Sequence, residues 1–114
     1  MLVPVRLCGQ NFDFLVDTGA AYTAINPRLA TLFDLTTFPQ PQLTIAPVQG
    51  RAQSVPQVLL PDLRIGGIEL TKVDALVVSF PVGLRLQGII GMNVLRQFRV
   101  TLESDTSTLV LRMV

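Results

Sequence analysis

Histidine and tryptophan are absent from this 114-residue chain, and cysteine occurs once. Without imidazole there is no Ser-His or Cys-His dyad and no histidine-held metal, and a single cysteine makes neither an internal disulfide nor a thiolate zinc cluster. Charge is scarce as well. Nine Lys plus Arg stand against eight Asp plus Glu, a net of +1, and the basic residues are scattered singly from Arg6 to Arg112. That distribution offers no electrostatic footprint for a nucleic-acid backbone or an anionic membrane. Long apolar runs are missing too: a bilayer span needs about 20 apolar residues in a row, and Lys72, Asp74, Pro81, Arg85 and Gln87 interrupt the richest stretch. The segment from Met1 to Arg6 has no basic n-region, so no signal peptide is expected and the chain reads as soluble and cytoplasmic. Any anchor would lie outside this chain. Chemistry is left to carboxylates, hydroxyls, amines and backbone.

Apolar residues are plentiful, at 49% against 15% charged. A chain of this length suits one compact domain over residues 1–114, and so apolar a composition leaves surface for a second copy to cover. Leu2 to Leu7 alternates, and after Cys8-Gly9-Gln10-Asn11 the run Phe12 to Val16 alternates again, a hairpin that leads straight into Asp17. Asn26-Pro27 reads as a helix cap followed by proline in the first turn, with Leu29, Leu32 and Phe33 at helical spacing behind it. Prolines punctuate Phe38 to Pro61, which predicts edge strands and loops. Within it, 42–46 and 52–58 flank Pro47-Val48-Gln49-Gly50-Arg51 as a projecting hairpin. Gly66-Gly67 joins 63–65 to 68–70 in another hairpin, and 73–79 is a strand. The last third holds Gly88-Ile89-Ile90-Gly91, a short helix over 93–98, and strands over 99–103 and 108–113. The class is all-β with one or two short helices, as a closed barrel or a folded-over sheet.

The informative stretch is Phe14-Leu15-Val16-Asp17-Thr18-Gly19-Ala20, an apolar strand delivering an acid, a hydroxyl and a glycine into a tight turn. Asp-Thr-Gly alone arises by chance roughly 2 times in 100 in a chain of this length. The second element, Ile89-Ile90-Gly91 running into Met92-Asn93-Val94-Leu95, raises its weight. With these two elements in this order and at this spacing, the sequence resembles the retropepsin-like aspartic proteases over most of its length.

That resemblance implies an aspartic endopeptidase without metal or cofactor. Such enzymes need two facing carboxylates, and one Asp-Thr-Gly per chain implies a symmetric homodimer with Asp17 contributed by each subunit. Two carboxylates about 3 Å apart share one proton, aspartic proteases being the standard illustration. One then activates a water and the other hydrogen-bonds the scissile carbonyl of a peptide or protein substrate. Thr18 would bond across the two-fold axis, while Gly19 and Ala20 support the site and leave room for an extended peptide. Pro47, Val48, Gln49, Gly50 and Arg51 would form the flap, and Val78, Phe80, Val82 and Ile89 the wall of an apolar substrate pocket. The alternative is a non-catalytic peptide-binding or dimerisation module of a larger protein. Intact Asp17, Thr18 and Gly19 favour the enzyme, because a binding module gains nothing from two close acids.

The chain departs from the retroviral pattern in two places. An acid after the Asp-Thr-Gly-Ala turn and an arginine after the downstream glycine, which pair in many relatives, are replaced by Ala21 and Met92. The leading interface strand of retroviral enzymes also has no counterpart here. The resemblance therefore predicts a four-stranded intersubunit sheet built from the 99–103 and 108–113 hairpins of two copies. Plainer roles are expected elsewhere: Asn93 as an internal hydrogen-bonding residue or cap, Gly91 as a helix-to-sheet spacer, Tyr22 in core packing, and Cys8 as an inert small side chain or turn thiol. Ala20 stands where pepsin-like enzymes usually carry a serine, so one potential hydrogen bond to the carboxylates is missing, and the resemblance implies a mildly acidic optimum.

Overall fold

A computed structural model describes residues 1–38, 43–48, 51–81 and 83–113, with 43–48 and 51–54 described by backbone alone. The expected leading hairpin is β1 (Leu2–Leu7) and β2 (Gln10–Val16), paired antiparallel from Leu2↔Leu15 to Leu7↔Gln10. Its alternation does what period two requires: Val5, Leu7 and Phe14 are fully buried while Pro4, Arg6 and Asp13 face outward. β3 (Thr23–Ile25) follows the Asp17 loop. Next comes α1 (Pro27–Leu32), capped by Asn26, whose Oδ1 accepts from Leu29 N at 3.0 Å. Leu29 is buried as its spacing predicts, but Leu32 is 57% exposed because a six-residue helix turns a single face to the core.

β4 (Leu43–Val48) and β5 (Arg51–Val55) form a separate two-stranded sheet, so a hairpin is present, with Pro47, Val48 and Arg51 inside its strands and not between them as expected; Gln49 and Gly50 lie outside the described residues. The single strand expected over 52–58 is instead two. Pro56, which has no N–H for a ladder, separates β5 from β6 (Gln57–Leu60), and the two belong to different sheets. β7 (Leu63–Ile65) and β8 (Ile68–Leu70) make the Gly66-Gly67 hairpin. β9 (Val73–Val77) stops two residues before the expected end. β10 (Gly88–Ile90), α2 (Met92–Leu95) and the hairpin of β11 (Phe98–Glu103) and β12 (Thr108–Met113) complete the order. α2 is shorter than the 93–98 expected because Phe98 is already committed to β11.

The main sheet has eight strands in the order β6-β9-β3-β10-β2-β1-β7-β8, curled into a half-barrel. Of the two forms expected, the folded-over sheet is realised. One of its faces carries the core of Val5, Leu7, Phe14, Ile25, Val58, Leu60, Leu63 and Ile90, joined by Val94 and Leu95 of α2. The other face carries a smaller cluster of Ala24, Val55 and Leu76, against which Val78, Phe80 and Ile89 pack. Among the described residues no helix is long and apolar enough to cross a membrane.

Candidate active site

Asp17 leaves the end of β2, a position dictated by the parallel pairing of β2 with β10, in which Ile90 lies beside Val16. Its N–H donates to Ile90 O at 3.1 Å, so the first residue beyond the strand is still held by the ladder. The half-buried carboxylate is tied into its own turn: Gly19 N donates to Oδ1 at 2.9 Å and Ala20 N to Asp17 O at 3.2 Å. Among the described residues nothing in the chain occupies Oδ2, which stays available to another group. Thr18 and Gly19 are exposed beside it. A Cβ on Gly19 would sit 3.3 Å from Asp17 Oδ1 and press on the carboxylate.

The far side of the loop is bound to α2. Met92 N donates to Ala20 O at 2.8 Å and Asn93 N to Ala21 O at 3.0 Å. These backbone bonds stand where Ala21 and Met92 supply no ion pair. The approach is so close that a Cβ on Gly91 would lie 2.4 Å from Tyr22 C and O. Gly88 is equally confined: a Cβ there would lie 2.4 Å from the Phe14 ring and 2.8 Å from Ala24 O. Both glycines of Gly88-Ile-Ile-Gly91 thus exist for close approach of backbone to neighbour.

Three of the expected pocket residues, Val78, Phe80 and Ile89, meet on one cluster with Ala24, Val55 and Leu76. Val82 lies outside the described residues. The register explains the grouping: Gln57 pairs with Leu76, Leu76 with Ala24, Ala24 with Ile89, and Ile89 with Leu15, so these residues share one face of the sheet. This row runs toward the strand that ends in Asp17. Its members in β3, β6 and β9 escaped the sequence reading, since a three-residue β3 is too short to show alternation. Gln57 is buried with Oε1 unpartnered among the described residues, a polar acceptor in an apolar row. Two further expectations are corrected or sharpened. Tyr22 is 40% exposed rather than core, because the chain bends at Ala21-Tyr22 before β3 begins. Cys8 is half-buried in its turn, where burial and then the Asp62 carboxylate push its thiol up from its ordinary pKa.

Two cavities among the described residues, of about 560 Å³ beside α1 and about 530 Å³ between β12 and the β7–β8 hairpin, are lined by residues other than Asp17 and its turn.

Solved structures share this arrangement of strands. A crystal structure of a retropepsin-like aspartic protease from Rickettsia conorii superposes with a TM-score of 0.69 at 20% identity, covering 96% of this chain and 80% of that one. The retroviral protease-like domain of Ddi1 from Leishmania major gives 0.61 at 15% identity, covering 100% of this chain and 93% of that one. No curated protein matches the sequence. A sequence model described as aspartyl protease does match it, over residues 3–94, a span that takes in the leading hairpin, the Asp17 loop, the Ile-Ile-Gly element and most of α2. With its fold that of the retropepsin-like structures, this chain belongs to the aspartyl protease family as a retropepsin-like domain.

Proposed function

We propose that the chain is an aspartic endopeptidase, one domain over residues 1–114, active as a symmetric homodimer. The observation that carries this reading is the half-buried Asp17 carboxylate at the end of β2, held through Oδ1 by Gly19 N and through its backbone N–H by the β10 ladder, with no partner for Oδ2 among the described residues. A second copy related by a two-fold axis would bring the partner subunit's Asp17 against it. The ionised member of the pair takes a proton from water as the water oxygen attacks the scissile carbonyl carbon. The protonated member hydrogen-bonds the carbonyl oxygen and stabilises the charge developing there. Collapse of the tetrahedral intermediate breaks the C–N bond as a proton passes to the leaving amine. No acyl-enzyme forms.

Thr18, exposed next to Asp17, is suited to bond across the axis, and Gly19 and Ala20 keep the turn narrow. Pro47, Val48, Gln49, Gly50 and Arg51 form the flap in this reading, which the independent β4–β5 hairpin supports. Closing over an extended peptide, it would exclude water and add strand-like hydrogen bonds. Val78, Phe80, Val82 and Ile89 line the pocket, with a preference for apolar residues flanking the cut. The β11–β12 hairpin, detached from the main sheet and carrying exposed Leu102 and Met113, is the proposed intersubunit sheet.

The test is cleavage of a mixed peptide library at mildly acidic pH by the wild type and by Asp17→Asn, with the dimer fraction followed in parallel. Cleavage by the wild type alone, both proteins being dimeric, is the expected result. If both are dimers and neither cuts, the enzyme reading fails and a peptide-binding or dimerisation module takes its place. The likeness to a domain of Ddi1 makes that the second reading.

A further inference from the structure

Asn93 and Thr23 take part in a run of hydrogen bonds that begins at Asp17 and whose members all point the same way. Asp17 N–H donates to Ile90 O at 3.1 Å. That carbonyl belongs to the same planar peptide as Gly91 N–H, which donates to Thr23 Oγ1 at 3.1 Å. Thr23 Oγ1 in turn donates to Asn93 Oδ1 at 2.9 Å, an oxygen that also accepts from Thr23 N at 2.8 Å. Asn93 Nδ2 then donates to Asp74 O on β9 at 2.8 Å. The orientation of the carboxamide is fixed by its partners: Thr23 N can only donate and Asp74 O can only accept. Thr23 is fully buried and Asn93 half-buried, so water competes weakly with these bonds.

We propose that Asn93, acting through Thr23 and the Ile90–Gly91 peptide, is the positioning residue for Asp17. Each amide in the series accepts at one end and donates at the other, so donation at one end strengthens acceptance at the next. More directly, the Ile90–Gly91 peptide plane is gripped on both edges. If Thr23 Oγ1 drifts, the plane turns and Ile90 O moves away from Asp17 N, at the end of the strand that aims the carboxylate. The side chain at 93 needs both an acceptor and a donor at this reach, which a carboxamide supplies and an alanine or an ionised carboxylate does not. The network does by neutral hydrogen bonds what an ion pair between positions 21 and 92 would do, and neither Ala21 nor Met92 can.

The kinetic consequence rests on the proposed proteolysis; the structural consequence does not. The experiment uses the full chain as wild type, Asn93→Ala, Asn93→Asp, Thr23→Val and Thr23→Ser, checked for dimer fraction. Expected is a fall in kcat of about 10- to 100-fold for Asn93→Ala and Thr23→Val with KM little changed, since misplacement by a fraction of an ångström acts on the reacting geometry. Thr23→Ser, which keeps the hydroxyl, should stay near wild type. For Asn93→Asp, a protonated carboxyl can still donate to Asp74 O, whereas an ionised one repels it. Its activity relative to wild type should therefore fall as pH rises from about 4 to about 7, while the Asn93→Ala ratio stays level. The charged neighbours of position 93 are Lys72, Asp74 and Arg96; they set where in that range the fall occurs, not its direction. The second readout is amide hydrogen exchange at Asp17, Thr23 and Gly91, which should accelerate in Asn93→Ala even if no peptide is cut. A wild type that cleaves nothing while those amides still lose protection overturns the protease reading and leaves the positioning role standing. Unchanged exchange, unchanged kcat in a cleaving enzyme, or a loss explained by dissociation of the dimer overturns the positioning role.

Discussion

Gly91 shows how one residue type decides a local geometry. Its missing side chain lets the start of α2 lie against the Tyr22 carbonyl, and any Cβ there would be 2.4 Å from two backbone atoms, which cannot swing aside as a flexible side chain does. Gly91→Ala should cost about 1–3 kcal/mol or more by overpacking, read as a lowered urea midpoint; a wild-type midpoint would show that the loop retreats freely. Gly19→Ala differs in kind, since the 3.3 Å contact is with a carboxylate oxygen at an exposed turn. It should leave the urea midpoint near wild type and depress peptide cleavage, because the group that must yield is Asp17 itself. Cys8 is a matter of protonation. Burial first, and the Asp62 carboxylate second, raise its pKa, so less thiolate is present at neutral pH than in free cysteine. Alkylation by iodoacetamide should be slower than for free cysteine, and alkylation as fast as in the free amino acid would contradict that environment.

Among the elements, the β11–β12 hairpin shares no ladder with the main sheet and carries exposed apolar side chains. Its inner residues, Phe98, Val100 and Leu111, pack on the core, so removing residues 104–114 would damage the fold as well as any interface. Leu102 and Met113 separate the two effects, being 50% and 76% exposed in the single chain. Leu102→Lys together with Met113→Lys should leave the urea midpoint near wild type and shift sedimentation from dimer to monomer; a doubly substituted chain that stays dimeric would remove this hairpin from the interface. Most element types were legible in the sequence wherever a period could repeat. The hairpins over 2–16, 63–70 and 98–113 show alternation or a Gly-Gly turn, and Asn26-Pro27 marks a helix start. β3 was not legible, because three residues buried on both faces carry no period. The break at Pro56 was misread for a related reason: a proline lowers the odds of a ladder without saying that the chain changes sheets there.

For the whole molecule, the proposed active unit is two copies, and that has a stoichiometric signature. Adding excess Asp17→Asn chain to wild type at fixed wild-type concentration should suppress cleavage, as active chains are drawn into mixed dimers with one competent carboxylate. Cleavage unaffected by the added chain, with subunit exchange verified, would place both catalytic groups in one chain. Asp17, its turn and the Ile-Ile-Gly element were readable before any fold was known, because a strand that ends in Asp-Thr-Gly and a glycine that admits close approach are local demands on residue type. The carboxylate's fixing through Oδ1 and the gathering of Ala24, Leu76 and Ile89 on one sheet face, with Val78 and Phe80 packed against it, depend instead on the three-dimensional arrangement. So does the Asp17-to-Asn93 series, in which Thr23 and Asn93 are 70 positions apart and the Asp17–Ile90 bond spans more still. A sequence records what each residue can offer, but which offer is taken up across strands that pair out of order is settled by packing, where register brings distant donors and acceptors within hydrogen-bond reach.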